Sequence, residues 1–222
     1  MKRDFQSFLL YMFGFLLLWE WLRPIEQLTT TDHIEMFVIF ILLSFTLAFL
    51  RMKWIWQMII KLWFIFFSIN MFHYEEDFFQ FSWLTFFTNE LTTNFSRIVA
   101  RNWLGLTNEF RTFLLFILLW LMVYLVHYWL LNRKRIFIFF FMTLIYITVL
   151  DTFTLYSAKT AIVRTIVVGF AVMGMLTYYR ILAKENVNSD AFTTRKWMRP
   201  LVLMIAFSVI VGIIAPKSGP IW

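Results

Sequence analysis

No cysteine occurs among the 222 residues, which excludes disulfides, thiolate catalysis and cysteine-held metals for this chain. Glycine is scarce, at six residues, and no GxSxG, P-loop or GxGxxG pattern is present. An intramembrane serine protease or a nucleotide-binding enzyme therefore has no support. The three histidines form no HxxxH or HExxH pair, so neither a metal site nor a cofactor site is expected. The acidic run Glu75-Glu76-Asp77 reads as a solvated loop, with oxygen ligation of a divalent cation as the alternative. Charged residues make up 15% of the chain, against about 25% in a soluble domain.

What is present is apolar. Hydrophobic residues make up 61% and aromatic residues 22%, more than a soluble core can hide. Runs of about 17 to 21 apolar residues recur, each long enough to cross about 30 Å of hydrocarbon as a helix. The expected fold is an all-α polytopic membrane protein whose first partner is the lipid bilayer. The net charge of +7 sits in short clusters between apolar runs, so it points to membrane orientation rather than to nucleic acid. The basic start, MKRDFQ, precedes an apolar stretch that runs on to Trp21 and Leu22 with no small-residue cleavage site. It reads as a retained first helix.

Seven spans are predicted, at about 5–22, 34–50, 54–72, 113–131, 136–156, 161–179 and 197–215. The first is expected to stop at Arg23-Pro24, because proline disfavours helical geometry in the residue before it. Basic tight connections make spans two and three, and spans four and five, antiparallel hairpins. Between them the segment 78–106 mixes aromatic with polar residues and reads as amphipathic and interfacial. Its Trp83, Arg97, Arg101 and Trp103 are candidates for contact with an outer domain or partner, the alternative being simple lipid anchoring. Residues 1–215 thus form one transmembrane domain, and residues 216–222, with two prolines in APKSGPIW, begin an extracytoplasmic linker.

With the N-terminus inside, inner segments hold about 12 Lys and Arg against about 3 acids, and outer ones about 6 against about 8, as the positive-inside rule expects. An odd number of spans then leaves the C-terminus outside. Trp19 and Trp21 mark the outer headgroup level, and Trp54, Trp56, Trp129 and Trp197 the inner one.

Charges inside spans are expensive and are functional hypotheses by default. Glu20, Asp151 and Arg164 fall roughly 3, 7 and 5 Å from the outer ends of their helices, so the three can share one layer. Asp151 and Arg164 are the expected principal pair, and Glu20 either joins them or pairs locally with Arg23. Lys61, roughly 10 Å from the inner end of its span, is expected to snorkel toward the inner headgroups. Asp151 and Lys61 stay open between structural and relay roles. An outer layer of Glu20, Asp151 and Arg164 also allows a small ion- or proton-coupled transporter or channel.

Two stretches at opposite ends, LLYMFGFLLLWEWLRPIEQLT and APKSGPIW, resemble the N-terminal membrane region of bacterial transglutaminase-like membrane proteins of the TgpA type, found in Bacillus-like Gram-positives. The resemblance implies a multi-pass plasma-membrane region ahead of an extracytoplasmic domain with a Cys-His-Asp triad. A further span and a small cytoplasmic tail would follow. By family analogy it also implies a complex with a von Willebrand factor A-like membrane protein and a MoxR-type AAA+ ATPase. Lacking cysteine, this chain supplies no nucleophile. Its own expected role is that of a non-catalytic membrane anchor and scaffold.

Overall fold

Apolar runs that satisfy every backbone group internally have one solution in lipid among open chains, the α-helix. The computed structural model describes residues 5–28, 34–74, 82–132, 136–185 and 191–214, and among them it is all-helical, without strands. The helices are α1 (Phe5–Leu28), α2 (Ile34–Phe49), α3 (Trp54–Ile69), α4 (Ser82–Val99), α5 (Asn108–Asn132), α6 (Ile136–Phe153), α7 (Lys159–Glu185) and α8 (Ala191–Ile214). Four stretches are long and apolar enough to cross a membrane: Ser7–Glu26, Trp54–Tyr74, Asn108–Leu130 and Lys159–Tyr178. Two shorter apolar helices, Ile34–Phe49 and Phe137–Phe153, accompany them.

The chain forms two compact units. One holds α1, α6, α7, α8 and the part of α5 from Tyr124 onward; the other holds α2, α3, α4 and α5 up to Val123. In the first, Leu17, Leu18 and Leu22 of α1 and Val126 and Leu130 of α5 are fully buried. Gly169 lets α7 close on the Phe140 ring of α6, and Gly174 does the same for Leu201 of α8, so that an added Cβ would collide with either side chain. Small residues at such crossings are how membrane helices approach closely. In the second unit the core is Phe37, Phe40, Ile41, Ile65, Ile69, Phe87 and Phe116. Outward-facing Phe8, Ile59, Trp63, Leu118, Phe141, Leu203 and Phe207 are exposed, as lipid-facing side chains are.

Two helix ends use arginine where glycine is usual. Arg51 and Arg101 have φ of 52° and 56°. Around Arg51, Met52 N donates to Leu47 O at 3.4 Å and Arg51 N to Ala48 O at 3.1 Å. Around Arg101, Asn102 N donates to Arg97 O and Arg101 N to Ile98 O, both at 2.9 Å. Both are Schellman closures. The left-handed conformation costs an arginine about 1–2 kcal/mol that glycine escapes, so charge at these two turns is retained against local preference.

Helix α1 does not stop at Arg23. It continues through Pro24 to Leu28, because neighbours support the turn that proline weakens. Pro24 is buried, and the Tyr146 hydroxyl donates to the Trp21 carbonyl at 3.3 Å. The α-helical part of the third apolar stretch ends at Ile69 and passes into a π-helical turn, Asn70–Tyr74. Within 78–106 the described part is α4 and a 3-10 turn, Trp103–Gly105. Lys2 and Arg3, the loop 29–33 with His33, the run Glu75-Glu76-Asp77, the basic turn 133–135, the polar loop 186–190 and the tail 215–222 lie outside the described residues.

Candidate functional site

The first unit gathers most of the intramembrane charge at the end of α1. Glu20 is 5% exposed, and Arg164 of α7 reaches it with both arms of its guanidinium. Its Nε donates to Oε1 at 2.7 Å and its Nη2 to Oε2 at 3.0 Å. Such a fork matches carboxylate geometry and is among the stronger contacts a protein makes. Arg23, one turn along α1, places Nε 3.6 Å from the same Oε1 and lays its guanidinium over the Trp19 ring, 5.2 Å from the centroid. Glu20 thus has both partners considered for it, the local arginine and the distant one, with the distant one at closer range.

The principal partner of Arg164 is Glu20 rather than Asp151. Asp151 is used differently: its Oδ1 accepts the backbone N–H of Ala158 at 2.7 Å. That bond closes the turn between α6 and α7, satisfying a donor at the start of a helix as capping carboxylates do. Thr154 gives its hydroxyl to the Leu150 carbonyl at 2.6 Å. Tyr156, buried with Ile147, Ala158 and Ala161, sits within electrostatic reach of Glu20, Arg164, Arg23 and Asp151. The four charges therefore share one neighbourhood, with Glu20 at its centre.

A second set of contacts holds α1 against α6. Trp21 Nε1 donates to Thr143 Oγ1 at 2.9 Å, and the Trp21 ring stacks on Tyr146 at 4.2 Å and 4°. Trp21 therefore works as a packing residue between α1 and α6. Chemically the arrangement is a clamp. Arg164 holds both oxygens of Glu20, and a two-pronged contact of this geometry suits joining two helices.

In the second unit Lys61 is 5% exposed. Its ammonium lies 5.5 Å from the centre of the Trp120 ring instead of running free toward headgroups. Gln57, one turn away, gives its side-chain N–H to the Met52 carbonyl at 2.8 Å. Of the interfacial candidates, Trp83 is 1% exposed and packs near Phe66 and Tyr74, so its ring is core and not a docking surface. Arg97 donates to the Gly105 carbonyl. Arg101 and Trp103 are exposed, Trp103 at 60%.

Sequence reasoning missed a polar seam in this unit. Tyr74 donates to Glu90 Oε2 at 3.0 Å, His73 Nε2 bonds Thr112 at 3.1 Å and His73 Nδ1 lies 3.7 Å from Glu109 Oε1. Asn94 donates to Thr107 Oγ1 and accepts from Thr107 N, each at 2.9 Å. The amphipathic pattern of α4 was the available signal, since it places Glu90, Asn94 and Arg97 on one face. Among the described residues no group of three or more His, Asp or Glu could hold a metal ion.

No family model matches the chain, and no solved structure matches it. The chain is 41% identical over 214 residues to the uncharacterized protein YebA of Bacillus subtilis (strain 168), a match covering 96% of this chain and 29% of that protein. The chain therefore spans less than a third of the length of the curated relative it matches.

Proposed function

We propose that this chain is the non-catalytic membrane domain of a longer bacterial envelope protein of the transglutaminase-like, TgpA type. It anchors and orients an extracytoplasmic catalytic domain in the plasma membrane and docks membrane partners. One observation carries this reading: the likeness to YebA takes in nearly all of this chain and under a third of the relative. A membrane bundle that is one part of a larger chain fits an anchoring role. The WEWLRP and APKSGPIW stretches add the family likeness, and a catalytic cysteine would have to come from outside this chain.

In this reading α1, α2, α3, α5, α6, α7 and α8 are seven spans, the N-terminus is inside and the C-terminus outside. At 16 residues each, α2 and the α-helical part of α3 measure about 24 Å, short for a span but within reach of local bilayer thinning. A von Willebrand factor A-like membrane protein and a MoxR-type AAA+ ATPase are the partners that family analogy suggests. The exposed Arg101 and Trp103 are candidate contacts. A transporter working through Glu20, Asp151 and Arg164 is less well supported, since Arg164 occupies both oxygens of Glu20 and Asp151 holds a turn.

The test is the reading frame downstream of codon 222. A frame that continues into a segment carrying an isolated cysteine followed by a histidine and an aspartate supports the anchor, and a stop codon at that point overturns it.

A further inference from the structure

In the second unit three aromatic rings meet where α2, α3 and α5 cross. Phe40 lies 5.8 Å from Phe64 and 5.3 Å from Phe116, and Phe64 lies 6.4 Å from Phe116, centre to centre. One turn from this layer, toward the connection between α2 and α3, each helix presents a different residue: Ser44 comes four after Phe40, Lys61 three before Phe64, and Trp120 four after Phe116. The hairpin makes α2 and α3 antiparallel, so Ser44 and Lys61 move the same way along the bundle from the ring layer, by roughly 6 and 4.5 Å. Trp120 is fixed at the same level by the Lys61 ammonium over its ring.

Two of these three are polar groups in an apolar place without a matching partner. The Ser44 hydroxyl is fully buried and has no hydrogen-bond partner among the described residues. Nearby hydroxyls satisfy themselves on their own helix, Thr46 donating to Leu42 O at 2.8 Å and Ser68 to Phe64 O at 2.9 Å. Ser44 does not, although the Phe40 carbonyl is the corresponding acceptor. Lys61 is 5% exposed, and no carboxylate among the described residues lies within salt-bridge distance of it. An ammonium brings three donors and no acceptor. A cation–π contact offsets only part of the cost of taking such a charge out of water.

What this layer lacks is a small, negatively charged acceptor. We propose that Lys61, Ser44 and Trp120 form a buried seat for a small monovalent anion, a halide or a short carboxylate, that accepts from the ammonium and the hydroxyl. Lys61 lies roughly 10 Å along α3 from Trp54, too deep for a lipid phosphate at the headgroup level. The ring layer of Phe40, Phe64 and Phe116 closes one side, so entry is from the side of the α2–α3 connection. This seat is independent of any catalytic domain the chain anchors.

Thermal unfolding of the full chain in a neutral detergent tests the seat, with sodium chloride, sodium acetate and sodium gluconate compared at equal ionic strength. Chloride or acetate should raise the melting temperature saturably, by about 3–6 °C at ten times the dissociation constant, while bulky gluconate does not. Whichever of the two salts acts identifies the anion as halide or carboxylate. Lys61→Met should abolish the rise, Lys61→Arg keep it, and Ser44→Ala move half-saturation to at least about fivefold higher concentration, the loss of about 1 kcal/mol for one hydrogen bond. Equal behaviour of all three salts, or an undiminished rise in Lys61→Met, overturns the proposal. Should Lys61→Met fail to fold, Ser44→Ala decides alone, and an unchanged half-saturation overturns it.

Discussion

The guanidinium nitrogens that reach Glu20 tie α1 to α7, and losing Arg164 leaves the buried Glu20 with Arg23 at longer range. Removing one partner of such a pair is costlier than removing both. Glu20→Met and Arg164→Met should each lower stability by about 2–4 kcal/mol, and the double substitution should cost clearly less than the sum. Chemical denaturation of the four proteins in detergent reads the coupling directly, and additive losses would show that the fork contributes nothing. That Arg23 lies one turn from Glu20 and close to its carboxylate was legible in the sequence. That Arg164 takes it was not, because the partners lie 144 residues apart and depth estimates cannot separate two carboxylates in one layer. Glu90 offers a pH test at the same scale. Burial first, then the charge of Glu109, pushes its carboxyl above the ordinary value of 4.5, against the opposing effects of the Tyr74 hydrogen bond and Arg97. The folded state therefore binds the Glu90 proton more tightly than the unfolded state. Its contribution is complete below about pH 4.5 and is lost as pH rises through the raised value. Glu90→Gln should flatten that part of the stability profile and be more stable than the parent at pH 7; an unchanged slope would contradict this.

Helices register their neighbours through the smallest residues. Gly169 faces the Phe140 ring so closely that a methyl group has no room, and Phe140 is itself buried and packed near Phe170. Gly169→Ala should cost about 1–3 kcal/mol by overpacking, and combining it with Phe140→Leu should recover part of that loss; equal melting temperatures for parent and Gly169→Ala would contradict the close approach. The apolar helical segments themselves could be read from apolar run length and basic breaks. Two readings failed for tertiary reasons. In the sequence Pro24 reads as a stop, yet α1 runs on to Leu28 in buried surroundings. In the sequence Trp83 reads as a candidate contact for an outer domain or partner, yet the apolar face of α4 turns toward Phe66 and, through Phe87, toward Phe113. Amphipathicity marks which residues share a face, and packing decides which way that face looks.

At the scale of the whole chain, composition alone excluded a soluble protein, and the helices that are long and apolar enough to span a membrane agree with it. The candidate site was only partly legible. Its residues were named from the cost of charge in hydrocarbon, but a clamp and a relay need the same residue types, and only the hydrogen bonds separate them. In the proposed topology the bias of arginine and lysine toward the side of the N-terminus would set the orientation, and seven spans would put the end of the chain outside. Fusion of alkaline phosphatase after Trp222, with companion fusions after Arg51 and Lys134, tests this anchoring topology most directly, because the enzyme folds only when exported. High activity at Trp222 with none at Arg51 or Lys134 is the expected result. An inactive fusion at Trp222 would contradict it, since the chain would then deliver whatever follows to the inner face of the membrane.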